Sequence, residues 1–302
     1  MTLRSVFMGT PEIAIPSLRV LAKRTDLRCV VTQPDRPAGR GNHLTAPPIK
    51  RAADELGLEV WQPETLKGQA DARQLQNLDL VVVMAYGELL RRDILVLPRH
   101  GCINLHASLL PRWRGASPLQ AALRAGDDHT GITVMRMVLA LDAGPVYLEE
   151  RMPIAPGTSL PALHDALAEL AALALGRFLD GAWQHEPLPQ DESQVTLCRK
   201  LITDDGHLDF NKTPAELERW VRAYTPAPGC WAVAGDQRLR ILELIPGQAC
   251  GLKPGEVRVS EGRLLVGCGA GSCSIVRLQV PGKRIMSAAE YLCGHRPPDY
   301  ME

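Results

Sequence analysis

Short apolar runs separated by stretches of helical periodicity set the first half of the chain. Leu3 to Met8, Leu27 to Thr32, Leu58 to Trp61 and Leu78 to Met84 have the length of strands, and the last is apolar almost throughout, the pattern of a strand buried on both faces. Gly9-Thr10-Pro11 reads as a turn, with a helix beginning just after it and its proline near the start. Strand, turn and helix then alternate, which predicts βαβ units and a mostly parallel, Rossmann-like sheet. Ser117 to Ala125 reads as a further helix, Gly131 to Met137 as a strand, and Val146 to Ile154 as an antiparallel strand. Ser159 to Leu179 is a long helix whose Ala and Leu stripe implies core packing and no cofactor.

The rhythm changes near residue 181. Gly181 to Glu192 carries Pro187 and Pro189 among Gln, Asp and Glu, and is expected to connect two domains. The boundaries so drawn are 1–185 for an α/β domain, 186–202 for a linker and 203–302 for a second domain. In the last part short alternating strands predominate: Cys230 to Val233, Arg238 to Leu244, Glu256 to Val259, Leu264 to Val266 and Ser274 to Val280. Gly-containing turns separate them, which predicts a small β-barrel. Helices at Pro214 to Tyr224 and near Ser287 to Leu292 accompany it.

A chain of 302 residues supports two domains, each with its own core. Lys plus Arg number 34 and so do Asp plus Glu. No global positive field therefore advertises a nucleic acid, and any such contact has to come from local patches. The eight cysteines, at 29, 102, 198, 230, 250, 268, 273 and 293, form no Cys-x-x-Cys pair and have no His at metal-ligand spacing. They are expected to be buried, reduced thiols, with no metal site. The N-terminal apolar run is too short for a signal peptide, and no later run is long enough to span a bilayer. A soluble cytoplasmic protein without membrane attachment is the expectation.

The polar chemistry concentrates in a few places. In Ile103-Asn104-Leu105-His106 the apolar residues alternate with an amide and an imidazole, so on a strand Asn104 and His106 project from the same side. Asn offers a hydrogen-bond donor and acceptor, and His exchanges protons near neutral pH, a pairing suited to a reaction that builds an oxyanion while shedding a proton. Satisfied polar residues at a strand end are the plainer alternative. Asp142, in a Gly/Pro-punctuated loop, is placed to orient His106. Gly9 stands without a Gly-x-Gly-x-x-Gly fingerprint, which argues against a nicotinamide cofactor.

Three further segments are candidates for binding. Gln33 to Pro47 is a long, basic, Pro/Gly-rich loop; Arg36 and Arg40 suit phosphates, a solvated turn being the alternative. Ala85-Tyr86-Gly87 lies just past a strand end, where α/β sheets place ligands, although Tyr86 taken alone reads as a packing residue. Ser108-Leu109-Leu110-Pro111 offers apolar side chains and exposed backbone groups, which suit a flat heterocycle. Arg112 and Arg114 flank Trp113, a combination that can hold a phosphate, stack on a base, or form a surface cation–π pair. Lys283 and Arg284 make a short basic turn, of a kind that is commonly just solvated.

The ordered set Asn104-x-His106, Ser108-Leu-Leu-Pro111 and Leu141-Asp142-x-Gly144 resembles the folate-dependent formyltransferase family. Members move a formyl group from 10-formyltetrahydrofolate to an amine. The continuation Arg112-Trp-Arg-Gly-Ala-Ser-Pro118 makes the chain most similar to the branch whose acceptor is methionine esterified to initiator tRNA, and the resemblance runs over essentially the whole chain. It implies catalytic roles for Asn104, His106 and Asp142, and a folate pocket lined by Tyr86, Gly87, Ser108, Leu109, Leu110 and Pro111. It also implies tRNA contacts from Arg36, Arg40, Arg112, Arg114, Lys283 and Arg284, a C-terminal barrel of oligonucleotide-binding type, a monomer, and no metal. Arg136 stands where such proteins commonly carry Gln, and Leu139-Ala140 replaces a more usual Gly before the Leu-Asp pair.

Overall fold

The computed structural model describes residues 2–38, 41, 43–248 and 251–302. Two compact units emerge. The first comprises the chain up to Pro118 with His129–Pro153 and Leu163–Cys198, and the second comprises Leu119–Asp128, Ile154–Ala162 and Arg199–Glu302. The division is therefore not a single cut, because two short excursions of the N-terminal half belong to the second unit.

The elements run β1 (Arg4–Gly9), α1 (Ile15–Arg24), β2 (Asp26–Val31), β3 (Arg36–Ala38), β4 (His43–Thr45), α2 (Pro48–Glu55), β5 (Val60–Trp61), β6 (Leu80–Met84), α3 (Arg92–Leu95) and β7 (Cys102–His106). They continue with β8 (Arg114–Gly115), α4 (Pro118–Ala125), β9 (His129–Arg136), β10 (Val146–Pro153), α5 (Leu160–Leu179) and β11 (Leu197–Cys198). The main sheet has the order β10-β9-β7-β6-β1-β2-β5. β5, β2, β1, β6 and β7 are parallel, and β9 and β10 complete one edge in antiparallel sense. β6, Leu-Val-Val-Val-Met, is buried along its whole length, as its β-branched run requires of a central strand. One core cluster joins Val6, Met8, Val31, Val81 and Val83 to Leu66, Leu75 and Ile94. In α5, Leu163, Leu167, Ala171, Ala174 and Phe178 recur on one buried face.

The chain leaves β1 toward β2 and β5, then returns to pair β6 on the other side of β1. This reversal is a topological switch point, and the crevice at the carboxyl ends of β1, β6 and β7 is where such sheets bind ligands. Gly9 ends β1 where a Cβ would lie 2.8 Å from the Phe7 ring and 3.0 Å from the Met84 carbonyl. Thr10 Oγ1 donates to the Tyr86 carbonyl at 2.8 Å, tying the two strand ends together.

The loop from Gln33 to Pro47 contains the β3–β4 hairpin, which its Pro/Gly-rich sequence did not announce. Its base is fixed by Asp35, which accepts from Lys50 Nζ at 2.8 and 2.9 Å and from Gln62 Nε2 at 2.8 Å. The segment expected to link two domains is laid along the first unit: Leu188 pairs with Val146, and β11 runs parallel to β8.

The second unit holds α6 (Pro214–Tyr224), β12 (Cys230–Ala234), β13 (Gln237–Gly247), β14 (Val257–Ser260), β15 (Arg263–Cys268), β16 (Gly271–Gln279), β17 (Ile285–Ser287) and α7 (Ala288–Gly294). Its antiparallel sheet has the order β12-β13-β16-β15-β14, with β17 on β16. The segment 299–302 joins the two edges. Val233 and Glu302 exchange both backbone hydrogen bonds, Val257 N–H donates to the Asp299 carbonyl, and Met301 is wholly buried. The sheet thus closes into the expected barrel. α6 starts where it does because Thr213 and Glu216 cap it reciprocally and Pro214 occupies the first turn; Ser287 and Glu290 do the same for α7. No described helix is long and apolar enough to cross a membrane.

Candidate active site

β7 delivers the two polar side chains together. Ile103 and Leu105 turn into the core while Asn104 and His106 share the opposite face. Asn104 pairs in register with Val83 and Met135, and His106 with Thr133. The Asn104 side chain is only half-buried and its amide has no hydrogen-bond partner among the described residues. The His106 ring is 6% exposed, and its Nε2 lies 2.9 Å from the Trp113 carbonyl. A carbonyl only accepts, so Nε2 carries the hydrogen and Nδ1 is the nitrogen left to take up a proton. Nδ1 faces Asp142 Oδ2 at 3.7 Å, beyond a direct hydrogen bond. Asp142 itself is held by the Gly115 N–H, which donates to Oδ2 at 2.8 Å. The sequence suggested that Asp142 orients the imidazole; the Trp113 carbonyl sets the ring, and Asp142 supplies a fixed negative charge beside it.

Backbone strain gathers around this pair. Of the five non-glycine residues with positive φ among the described ones, Ala85, Trp113 and Asp142 lie on the site's loops, at +50°, +63° and +49°. Such conformations cost about 1–3 kcal/mol each and persist only where the surroundings over-determine them. At Trp113 that over-determination comes from specific bonds. Trp113 N–H donates to Thr196 Oγ1 at 2.9 Å, and Arg114 N–H to the Thr196 carbonyl at 2.9 Å. Cys198 Sγ lies 3.3 Å from the Trp113 carbonyl, and burial raises its thiol pKa. Thr133 Oγ1 donates to the Ser108 carbonyl at 2.7 Å and accepts from Leu110 N–H at 3.0 Å, which pins the Ser-Leu-Leu-Pro turn to β9.

The pattern of the "Formyl transferase" family matches residues 6–179, and that of the "Formyl transferase, C-terminal domain" matches residues 200–296. The chain belongs to the formyltransferase family. The methionyl-tRNA formyltransferase of Halorhodospira halophila is 45% identical over 309 residues, covering 98% of this chain and 97% of that protein. That of Myxococcus xanthus is 44% identical, covering 97% and 95%. A crystal structure of WlaRD, a sugar 3N-formyl transferase with dTDP and 5-N-formyl-THF, shares the fold at TM-score 0.69 and 14% identity, over 94% of this chain and 100% of that one. HypX from Aquifex aeolicus in complex with tetrahydrofolic acid does so at TM-score 0.64 and 16% identity, over 100% of this chain and 51% of that one.

On this formyltransferase the predicted residues meet different fates. Asn104 and His106 share one face of β7, and Asp142 lies 3.7 Å from His106. Tyr86 is a core residue, 2% exposed, with its hydroxyl unpartnered and its pKa raised chiefly by burial, so the 85–87 turn presents backbone at Ala85 and Gly87 while the ring stays inside. Ser108 and Leu110 are likewise buried and Leu109 is half-buried; Ser108 Oγ donates to the Arg112 carbonyl at 2.6 Å. Exposed backbone at Ala85 and Gly87 and the open Asn104 amide offer hydrogen-bonding groups and the half-buried Leu109 offers apolar surface, a combination that fits a flat, hydrogen-bonding folate head. Arg112 is exposed with its guanidinium 4.3 Å over the Trp113 ring. Arg114 is the correction: expected on tRNA, it is 6% exposed and its guanidinium donates to Gln190 and Glu192. A buried guanidinium has to be paired, and this one is paired internally. Arg36 is exposed and 3.3 Å from Glu64, Arg284 bonds Glu290 at 2.6 Å, and Lys283 is exposed in the turn after β16. Arg40 lies outside the described residues. Thr133, Gln190, Glu192 and Thr196 were not singled out from sequence, and the only signal there was Gln190 standing beside rigid Pro189.

Proposed function

We propose that this formyltransferase transfers the formyl group of 10-formyltetrahydrofolate to the α-amino group of methionine on initiator methionyl-tRNA. Relatives bearing that activity in their names match end to end at 39–45% identity, through the barrel as well as the catalytic fold, and this carries the reading. A free α-amino group titrates at roughly 7.7–8.0 and an ester lowers that further, so part of the acceptor is already nucleophilic near neutrality. As its nitrogen bonds to the formyl carbon, charge develops on the formyl oxygen, and the open Asn104 amide is placed to donate to it. The proton shed by the amine passes to the leaving folate nitrogen; His106 Nδ1 is the group that takes it up, and the Asp142 carboxylate stabilises the charge the ring then bears. Arg36, Arg112, Lys283 and Arg284, all exposed, are assigned to the tRNA, together with Arg40. The reading further places the enzyme in the cytoplasm as a monomer.

Formyl transfer from 10-formyltetrahydrofolate is to be measured with charged initiator tRNA, with no acceptor, and with an amino sugar. The proposal expects transfer to the tRNA alone; donor breakdown without tRNA, or a preference for the sugar, overturns it.

A further inference from the structure

The side chain that best explains the geometry at Asp142 is one outside the reacting groups. Gln190 is half-buried and uses both ends of its amide. Its Nε2 donates to the Asp142 carbonyl at 2.9 Å and to the Gly144 carbonyl at 2.7 Å. Its Oε1 accepts from Arg114 Nε at 2.9 Å and Arg114 Nη2 at 2.7 Å. Arg114 is fixed in turn by the Glu192 carboxylate, at 2.7 and 3.2 Å, and that carboxyl is held below its ordinary range chiefly by this hydrogen bond.

One residue thereby joins the two loops that build the site. On one side is Asp142 at φ +49°, its Oδ2 held by the Gly115 N–H. On the other is Trp113-Arg114-Gly115, which gives the carbonyl to His106 and the N–H to Asp142. Neither loop has slack: a Cβ on Gly144 would meet the Arg136 carbonyl oxygen at 1.7 Å, and one on Gly115 the Cys198 carbonyl oxygen at 2.1 Å. Hydrogen bonds to a carbonyl fix the rotation of the peptide that carries it, so the two donated by Gln190 fix the direction in which Asp142 leaves the backbone.

We infer that Gln190 is a positioning residue for formyl transfer, holding Asp142 at its distance from His106 by bridging Arg114 to the Asp142–Gly144 backbone. The inference rests on the reading of Asn104, His106 and Asp142 as the transfer site. It distinguishes the two ends of the amide. Gln190→Glu keeps the oxygens that receive Arg114 and loses both donors to the carbonyls, whereas Gln190→Leu loses both sets.

The test measures kcat, KM for tRNA, the pH–rate profile and the urea midpoint for the wild type, Gln190→Glu and Gln190→Leu. An ångström of misplacement at a reacting pair is worth about 10²-fold in rate, so both variants are expected to lose kcat by about that factor. KM for tRNA should stay within about threefold and the pH–rate profile should change shape, because the loss falls on a step made only in the transition state. Gln190→Glu should lose nearly as much kcat as Gln190→Leu while keeping more of the urea midpoint. A Gln190→Glu enzyme with wild-type kcat and profile overturns the inference alone. So does a kcat loss in both variants that tracks the unfolded fraction, with an unchanged profile, since that is a purely structural role. Absence of acceptor-dependent transfer by the wild type overturns the underlying reading, and the inference with it.

Discussion

Asp142→Asn separates charge from geometry at the site. Oδ2 of Asp142 does two things at once, accepting the Gly115 N–H at 2.8 Å and facing His106 Nδ1 at 3.7 Å. The asparagine carbonyl can still accept from Gly115, so the loop stays in place and only the charge is removed. Two unit charges at this separation interact by about 4 kcal/mol at an effective dielectric of ~20. The His106 and Asp142 side chains are 6% and 12% exposed, so little of that is screened by water. The ring is charged only while it holds the proton, and a transition state with the proton in flight realises half or more of the interaction, about 2–4 kcal/mol. At 1.36 kcal/mol per tenfold, kcat should fall by about 30- to 10³-fold. Single-turnover formyl transfer to charged initiator tRNA reads the chemical step, and titration of tRNA reads KM, which should move less than about threefold. A kcat within about threefold of wild type would refute the role given to the carboxylate, and an equal rise in KM would show that it serves binding instead.

Gly115→Ala places a Cβ against the Cys198 carbonyl at a φ of +123°, which costs about 1–3 kcal/mol of strain plus ~1 kcal/mol for each β8–β11 hydrogen bond broken; urea denaturation should show a loss of about 2–5 kcal/mol, and wild-type stability would contradict the packing described. Glu290 caps α7 and its pKa is lowered from 4.5 to about 2, chiefly by the Arg284 hydrogen bond and then by the Ser287 N–H. A depressed carboxyl contributes stability that is whole above 4.5 and lost as pH falls toward about 2, so the advantage of the wild type over Glu290→Gln, followed by the Tyr291 resonances, should vanish on acidification through that window; an advantage independent of pH would show that the charge is not what caps the helix. Burial pushes the thiols of Cys29, Cys102 and Cys230 up to about 12, whereas Cys293 is exposed. Alkylation of the native protein at neutral pH, read by peptide mass, should therefore label Cys293 and spare those three, and their labelling at the same rate would disprove the burial.

Local signals made much of the fold legible. β6 declares itself by an unbroken β-branched run, and α6 begins at the Thr213-Pro214-x-Glu216 capping box that the sequence spells out. The strand bearing Asn104 and His106 was readable from alternation alone. What was not readable depends on partners far along the chain. Arg112 and Arg114 flank the same tryptophan in the same basic motif, yet one lies on the surface and the other is buried against Gln190 and Glu192, residues 76 and 78 positions away. The group that sets the His106 tautomer is a backbone carbonyl, and backbone groups have no sequence signature of their own. The segment 186–202 read as an interdomain linker because its polar side chains are those of a linker, and its hydrogen bonds to the site loops are what distinguish it. The β3–β4 hairpin was hidden for a different reason, since Pro37 and Gly41 interrupt the alternation by which short strands are recognised.

The central claim is that Asn104, His106 and Asp142 form the site of formyl transfer, with His106 Nδ1 handling the proton. Its most direct test is formyl transfer from 10-formyltetrahydrofolate to charged initiator methionyl-tRNA by His106→Ala, beside wild type, with tRNA binding measured on the same preparations. Loss of kcat by about 10²–10⁴-fold with tRNA affinity retained is the expected result, and transfer by His106→Ala within about threefold of wild type would contradict the account.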